Sequence, residues 1–289
     1  MKYGVIDIGS NSVRLLLWED GCSIYKKLNT TRLGKGIEQS GRLTADAIDR
    51  TVRAVGEFEA QAKADGAQEV FAFATAAVRK AANGAEFTAK LFSRYGIQAD
   101  VISGEEEARI GFLGALGGRD GGIVDVGGAS SEVTIGKNGK IIYAVSADIG
   151  AVRLLDMCRD DISLMDSFIR ERIAVYGTVP FEGNMCAIGG TATSLVSIQK
   201  EMEVYDPAEV DGTVLLLGEV YDLADRLLGM TAEERRALKG MDPNRADVIG
   251  GGAFLLGRIM EYAGIDCVTV SEKDNQEGYI ISRLTGEGL

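Results

Sequence analysis

Two aspartates could do chemistry because each follows an apolar, strand-like run and precedes a turn of small residues. Asp7 leads into residues 9–12, and Asp125, 118 positions later, leads into residues 127–130. Glycine and serine let backbone amides approach an anion closely, and an aspartate at a strand end can hold a divalent cation that bridges phosphate oxygens. The repeated segment therefore predicts a cleft in which two turns grip phosphate.

The carboxylates near these turns are candidate metal ligands. A single aspartate at such a turn usually bonds its own backbone, but two at equivalent positions favour a role in holding metal or phosphate. Glu132 takes the place in the second copy that Arg14 has in the first, so it is either a solvated strand residue or an outer metal contact. Oxygen ligands of this kind predict Mg²⁺, or Mn²⁺, held by Asp7, Asp125 and Glu132.

Three consecutive glutamates, residues 105–107, open a predicted helix. Acidic residues in a first helical turn commonly offset the helix macrodipole, which is the structural alternative to a catalytic role. With Ser103 as the N-cap, Glu106 is expected to complete a capping box. Glu107 lies on a face that also carries two glycines, where a ligand or a neighbouring backbone can come close. Glu107 is therefore the glutamate expected to polarise water.

Further candidate residues would bind phosphate. Gly190 and Thr191 open a predicted helix, whose N-terminus favours an anion. Arg79 follows a buried strand, at the edge where an α/β sheet presents its ligands; its guanidinium suits phosphate oxygens, and a solvated arginine is the alternative. The predicted phosphate-binding residues are Ser10, Asn11, Ser12, Arg79, Gly127, Gly128, Ser130, Gly190 and Thr191.

Composition excludes several functional classes. The chain has no histidine, which removes histidine-based triads, phosphohistidine chemistry and histidine-ligated metals. A net charge of −12 is opposite to that of a protein with a broad nucleic-acid-binding surface. The four cysteines are far apart and indicate packing in a reducing compartment. Strand-like residues begin at Lys2 and no run is long enough to span a membrane, so we expect a cytoplasmic protein.

The elements that must position these residues alternate between strand and helix, which predicts an α/β fold. Each repeated segment forms a hairpin, because β-type residues continue after the turn; a Walker-type loop would lead into a helix instead. At 289 residues the chain exceeds a comfortable single core. We expect one domain over residues 1–119 and a second over residues 120–289, with the last helix able to pack back on the first domain.

The motifs together resemble the exopolyphosphatase and guanosine pentaphosphate phosphatase (Ppx/GppA) family of the actin-like, ribonuclease-H-like ATPase superfamily. Residues 7–14 (DIGSNSVR) and 124–132 (VDVGGASSE) resemble its two phosphate motifs. Residues 102–109 (ISGEEEAR) resemble the motif that supplies the catalytic glutamate. Residues 189–193 (GGTAT) and 241–247 (MDPNRAD) resemble later segments, so the likeness spans nearly the whole chain.

The resemblance implies two ribonuclease-H-like domains with a phosphate cleft between them, in the short two-domain form, and a homodimer. It places the catalytic glutamate on Glu107 and the carboxylates that hold metal or orient water on Asp7, Asp125 and Glu132, so that Glu107 and Asp125 are the predicted catalytic residues. Two positions depart from the family pattern. Ala129 adds a methyl group where the family usually has glycine, and Gln276 stands where an arginine is common.

These observations predict a Mg²⁺-dependent phosphohydrolase that removes terminal phosphate from inorganic polyphosphate or guanosine pentaphosphate. Asp7, Asp125 and Glu132 would hold the metal while Glu107 positions the attacking water. Two alternatives stay open. One is an actin-like ATPase or kinase-like enzyme, which shares the aspartate and glycine loops. The other is a non-catalytic sensor that binds polyphosphate or an alarmone and signals by domain closure.

Overall fold

The computed structural model describes residues 1–159, 161–181 and 183–286. The strands are β1 (Lys2–Ile8), β2 (Val13–Glu19), β3 (Cys22–Asn29), β4 (Glu69–Ala74), β5 (Ala99–Val101), β6 (Gly121–Val126), β7 (Ser131–Lys137), β8 (Lys140–Ala147), β9 (Met185–Ile188), β10 (Val214–Leu216) and β11 (Cys267–Val270).

The helices are α1 (Ile37–Ser40), α2 (Ala45–Ala64), α3 (Ala76–Lys80), α4 (Gly84–Tyr95), α5 (Gly104–Leu116), α6 (Ala151–Cys158), α7 (Ile162–Ile173), α8 (Gly189–Gln199), α9 (Pro207–Val210), α10 (Leu217–Leu228), α11 (Ala232–Arg236), α12 (Ile249–Ala263) and α13 (Asn275–Thr285). A 3-10 turn at Ala174–Tyr176 extends α7. Among the described residues, every helix is too short or too polar to span a lipid bilayer.

Two mixed sheets organise the fold. The first has the strand order β3-β2-β1-β4-β5, and the second has the order β10-β11-β9-β6-β7-β8. Read from β8, the second sheet repeats the first, with β10 added at its far edge. In both sheets a central strand pairs with an antiparallel hairpin on one side and a parallel strand on the other. The predicted α/β fold with two ribonuclease-H-like halves is confirmed.

The repeated hairpins form because their strands are apolar over nearly their whole length. Every residue of β6 is buried, and six of the seven residues of β7 are buried. β1 is buried from Gly4 onward. Strands covered on both faces have continuous apolar sequences. A buried aspartate at the end of such a strand therefore needs a hydrogen-bond or charge partner. The sheets thereby deliver Asp7 and Asp125 to corresponding ends.

The last helix, α13, joins the two sheets by packing against α5 at very short range. A Cβ atom on Gly114 would lie 1.9 Å from the carbonyl oxygen of Asp274, and one on Gly278 would lie 1.7 Å from that of Ile110. Only glycine permits such an approach. The glycine face of α5 thus accommodates a neighbouring backbone, and the first turn of α13 is held beside Glu107.

Most predicted elements are present, with shifted ends. The capping box of Ser103 and Glu106 is confirmed at the start of α5. The sequence patterns did not identify the edge strand β3 or the helix α6. The strands of the first sheet lie within residues 2–101 and those of the second within 121–270. The domain boundary at residues 119 and 120 stays a prediction.

Candidate active site

The two small-residue turns meet at one cavity of about 90 Å³. A Cβ atom on Gly128 would lie 3.0 Å from the Cβ of Ser10 and 3.4 Å from the amide nitrogen of Asn11, so the turns are in contact. Both aspartates and Glu107 line the same space. The cavity also contains residues of the third turn, at the start of α8.

The two turns share an equivalent internal hydrogen bond. The amide of Gly9 donates to the carbonyl oxygen of Ser12 at 3.0 Å, and the amide of Gly127 donates to that of Ser130 at 3.0 Å. Gly127 therefore closes its turn and does not offer its amide to a ligand. The amides of Ser10, Asn11 and Gly128 donate to no described residue and remain available for an anion at the cavity wall.

Asp7 is held by the arginine that lies directly opposite it in the hairpin. Arg14 donates from Nη2 and Nε to Asp7 Oδ2, at 2.5 and 3.0 Å, and from Nη1 to Asp274 Oδ2. Burial raises the pKa of Asp7, although Arg14 opposes this shift. The other oxygen, Asp7 Oδ1, is buried and has no partner among the described residues.

Asp125 faces a glutamate where Asp7 faces an arginine, because Glu132 is its partner across the hairpin. Burial and then the charge of Glu107 raise the pKa of Asp125 to about 8. Burial and the charges of Glu107 and Asp125 also raise the pKa of Glu132 well above its ordinary range. Asn275 Nδ2 donates to Asp125 Oδ2 at 3.3 Å. The carboxyl groups of Asp125 and Glu132 therefore favour their protonated forms.

Glu107 lies on the first turn of α5 and is only 7% exposed. Arg79 Nη1 donates to Glu107 Oε2 at 3.1 Å and to the carbonyl oxygen of Ile102 at 2.7 Å. Burial raises the pKa of Glu107 to about 7, against the opposing effect of Arg79. A carboxylate with a pKa near neutrality, on the wall of a cavity, is suited to accept a proton from water.

A larger outer cavity of about 740 Å³ adjoins the first. Four residues line both cavities: Arg14, Gly189, Gly190 and Arg245. The Arg245 guanidinium lies against Gly190, where a Cβ atom would be 2.0 Å from Nη1. Its nearest described carboxylate is Asp242, at 3.8 Å. The passage between the cavities is therefore lined by two arginines and two glycines.

Comparison with known proteins identifies the family of this chain. The model of the Ppx/GppA phosphatase family matches residues 21–287. The chain belongs to the Ppx/GppA phosphatase family. It is similar to exopolyphosphatase 2 of Mycobacterium tuberculosis, with 34% identity over 313 residues, covering 97% of this chain and 98% of that protein.

Solved structures of Ppx/GppA relatives have the same fold. The crystal structure of the Aquifex aeolicus family member is similar, with a TM-score of 0.80 and 29% identity over 100% of this chain and 99% of that one. An exopolyphosphatase-like protein gives a TM-score of 0.91 and 28% identity, covering 99% of this chain and 100% of that one. The resemblance drawn from the motifs is confirmed.

Most of the predicted site residues are together in this Ppx/GppA chain. Those that line the inner cavity are Asp7, Ser10, Asn11, Ser12, Glu107, Asp125, Gly127, Gly128, Ser130, Gly190 and Thr191. Arg79 and Glu132 are not among the described residues that line it. Arg79 binds Glu107 from behind, and Glu132 Oε1 accepts from the Ser146 hydroxyl at 2.6 Å. The chemical roles of all these residues stay predictions.

The two departures from the family pattern lie in different places. Ala129 is buried and lines the inner cavity. Gln276 is fully buried away from it, where its Nε2 donates to the carbonyl oxygen of Val5 at 2.9 Å. Gln276 therefore anchors α13 on β1 and has no place on the cavity wall.

Sequence reasoning missed four residues that the fold brings to the site: Arg14, Arg245, Asp274 and Asn275. Arg14 and Arg245 were inside quoted motifs without an assigned role. The sequence feature that could have identified them is a basic residue inside a family motif, in a chain of net negative charge. Nothing near Asp274 and Asn275 in sequence points to the cleft, because α13 reaches it only through the folded chain.

The site also provides a test of whether a divalent cation fits. Among the described residues, no group of three or more Asp, Glu, His or Cys side chains is arranged to hold a metal. Mg²⁺ commonly binds through one or two carboxylates and completes its shell with water and substrate phosphates. Asp7 Oδ1, buried without a partner, and the neighbouring Asp125 supply oxygen ligands of that kind. The residues fit a cation that binds together with phosphate.

Proposed function

We propose that this chain is a phosphohydrolase that removes the terminal phosphate from a phosphoanhydride chain, either inorganic polyphosphate or guanosine pentaphosphate. One observation carries the proposal: Asp7, Asp125 and Glu107 line a single cavity where two anion-binding turns touch. Its similarity to exopolyphosphatase 2 of Mycobacterium tuberculosis supports the same reaction class.

The size of the inner cavity supports attack at the end of a chain. A volume of about 90 Å³ is well below that of a typical small-molecule site. The inner cavity therefore suits one phosphate group with an attacking water better than a longer stretch of substrate. The rest of the substrate would pass between Arg14 and Arg245 into the outer cavity, where the Arg245 guanidinium can bind phosphate oxygens.

Catalysis in this proposal depends on orientation and charge. The amides of Ser10, Asn11 and Gly128 bind the terminal phosphate. Glu107, oriented by Arg79, orients a water molecule in line with the phosphorus atom and accepts its proton. The near-neutral pKa of Glu107 allows it to exist as a base at physiological pH while it stays strong enough to take that proton.

Mg²⁺, or Mn²⁺, would be held by Asp7 and Asp125, and Glu132 is proposed as an outer contact. Such a cation would supply charge neutralisation on the transferred phosphoryl group. The protein contributes the buried Asp7 Oδ1, which lacks a partner among the described residues, and the paired carboxylates of the second hairpin. Because the pKa of Asp125 is raised to about 8, cation binding at neutral pH should release a proton.

The outer cavity bears on the choice of substrate. Its volume of about 740 Å³ is in the range of small-molecule sites, and it has apolar walls at Leu28, Met202, Leu238 and Met241 beside Lys26 and Lys27. Apolar walls favour a nucleoside and lysines favour a phosphate chain. Guanosine pentaphosphate is therefore proposed as a substrate equal in standing to polyphosphate.

The test is a phosphate-release panel with Mg²⁺ and, separately, Mn²⁺. The substrates are long polyphosphate, tripolyphosphate, guanosine pentaphosphate and ATP, and Glu107→Gln is the inactive control. We expect metal-dependent release from polyphosphate or guanosine pentaphosphate that is faster than release from ATP. Faster turnover of ATP would replace the proposal with an ATPase. Tight binding without release under either metal would replace it with a sensor.

A further inference from the structure

Asp274, the N-cap of α13, lies on the wall of the outer cavity next to the passage into the inner one. Its side chain is only 6% exposed. Oδ2 accepts from Arg14 Nη1, and Oδ1 lies 3.5 Å from Lys26 Nζ and accepts from the amide of Gln276 at 3.1 Å. A buried negative charge thus stands where a polyanion would leave the inner cavity.

The carboxylate also changes what Arg14 can offer a ligand. Arg14 lines both cavities, but its Nε and Nη2 atoms bind Asp7 and its Nη1 atom binds Asp274. Lys26, the next cation along the outer wall, is shared between Asp274 and Glu277. Two cations therefore face three carboxylates in this cluster, and its net charge is negative.

We propose that Asp274 is a specificity-determining residue that weakens binding of the phosphates beyond the terminal one. It does so by occupying Arg14 and Lys26 and by placing its own charge beside the passage. The inference rests on the proposed function, because it takes the inner cavity as the site of the terminal phosphate. It predicts that this chain discriminates among substrates by the charge that extends into the outer cavity.

Electrostatics sets the size of the effect. A charge within about 10 Å of a phosphate in a partly buried site contributes enough to change affinity by about tenfold, before salt screening reduces it. Neutral variants at position 274 should therefore bind a chain of phosphates about 3- to 10-fold more tightly. A single phosphate confined to the inner cavity should gain less than a chain of phosphates, because it does not extend past Arg14 to Asp274.

Two neutral variants, Asp274→Asn and Asp274→Ser, test the inference because both residues are good N-caps and preserve the start of α13. A matched control is Asp161→Asn. Asp161 is the N-cap of α7 and accepts from the amide of Leu164 at 3.0 Å, and it lines neither cavity. The control makes the same chemical change and the same change in net charge at a helix start that is remote from the passage.

The measurement is calorimetric binding of inorganic tripolyphosphate and of orthophosphate at two salt concentrations. We expect both Asp274 variants to bind tripolyphosphate more tightly, with a steeper salt dependence and a smaller gain for orthophosphate, while the Asp161→Asn control matches the unmodified protein for both ligands. Unchanged or weaker tripolyphosphate binding in a folded variant would overturn the inference. Equal gains for both ligands would also overturn it, because the charge would then act on the inner cavity.

This experiment separates the inference from the proposed function. Binding is measured without turnover, so a chain that releases no phosphate from any substrate can still show the length-dependent gain. Where turnover is present, Asp274→Asn should lower KM for polyphosphate and leave kcat within about 2-fold. A fall in kcat at unchanged KM would instead assign Asp274 to positioning Arg14 and would contradict a role in specificity.

Discussion

The two hairpins of the site have the same backbone and opposite electrostatics. In the first, Asp7 lies across from Arg14 and forms an ion pair with it. In the second, Asp125 lies across from Glu132, and both carboxyl groups have raised pKa values. One half of the site is compensated by the protein itself. In the other half, the carboxyl groups favour their protonated forms, so a repeated fold still produces an asymmetric site.

Glu107 lies between the two halves, and its neutralisation should give the largest effect. Glu107→Gln removes the proton acceptor but keeps the size and the hydrogen-bonding position beside Arg79, so phosphate release should fall by about 10²-fold or more. The measurement is the initial rate with Mg²⁺ and the preferred substrate. Glu106→Gln is the matched control, because glutamine can still complete the capping box. Comparable rates for the Glu107 variant and the unmodified chain would rule out this role.

The aspartates should respond to neutralisation with opposite changes in stability. Asp7→Asn leaves Arg14 with Asp274 as its remaining carboxylate partner, so the free energy of unfolding should fall by about 2 kcal/mol. Asp125→Asn removes a buried charge that faces two other carboxylates, so the free energy of unfolding at about pH 8 should rise by about 1 to 3 kcal/mol. Both variants should lose activity.

Urea unfolding followed by circular dichroism measures this difference. If the free energy of unfolding changed in the same direction for both variants at about pH 8, the electrostatic difference between the two hairpins would be wrong. At about pH 5 the gain from Asp125→Asn should be smaller, because Asp125 is then protonated in the folded protein.

Stability without metal should fall as pH rises from about 5 to about 8. In the folded protein, the pKa values of Glu107 and Asp125 are about 7 and about 8, above their ordinary values of 4.5 and 3.8. In that window the folded state holds more protons than the unfolded state. Each extra proton lowers the free energy of unfolding by about 1.4 kcal/mol per pH unit. Thermal melting across the window measures the slope.

Mg²⁺ should flatten this slope, because a bound cation favours the charged carboxylates. The double variant Glu107→Gln, Asp125→Asn provides the control, since it lacks these two titrating groups and should show a shallower slope. A slope that is equally steep in the double variant would assign the pH dependence to other residues.

Local sequence patterns could predict the repeated turns and Glu107, because turn residues, strand-end aspartates and a capping box are all local features. They could not predict the cluster around Asp274, because Asp274 and Arg14 are 260 residues apart and meet only when α13 packs on α5. Locally, Asp274 is an N-cap and nothing more. The sequence also could not show which amides of the second turn are free to bind a ligand. In the structure, the Gly127 N–H is already bonded within the turn itself.

The smallest effect should come from making the first turn resemble the second. Asn11 and Ala129 occupy equivalent positions, and the Asn11 Nδ2 group is buried without a partner among the described residues. An unpaired donor on a phosphate cavity gains a hydrogen bond only when the anion binds. Asn11→Ala should therefore raise KM by about 3- to 10-fold, with little change in kcat and no loss of stability. Steady-state kinetics and thermal melting measure both, and an unchanged KM would mean that Asn11 contributes its backbone amide alone.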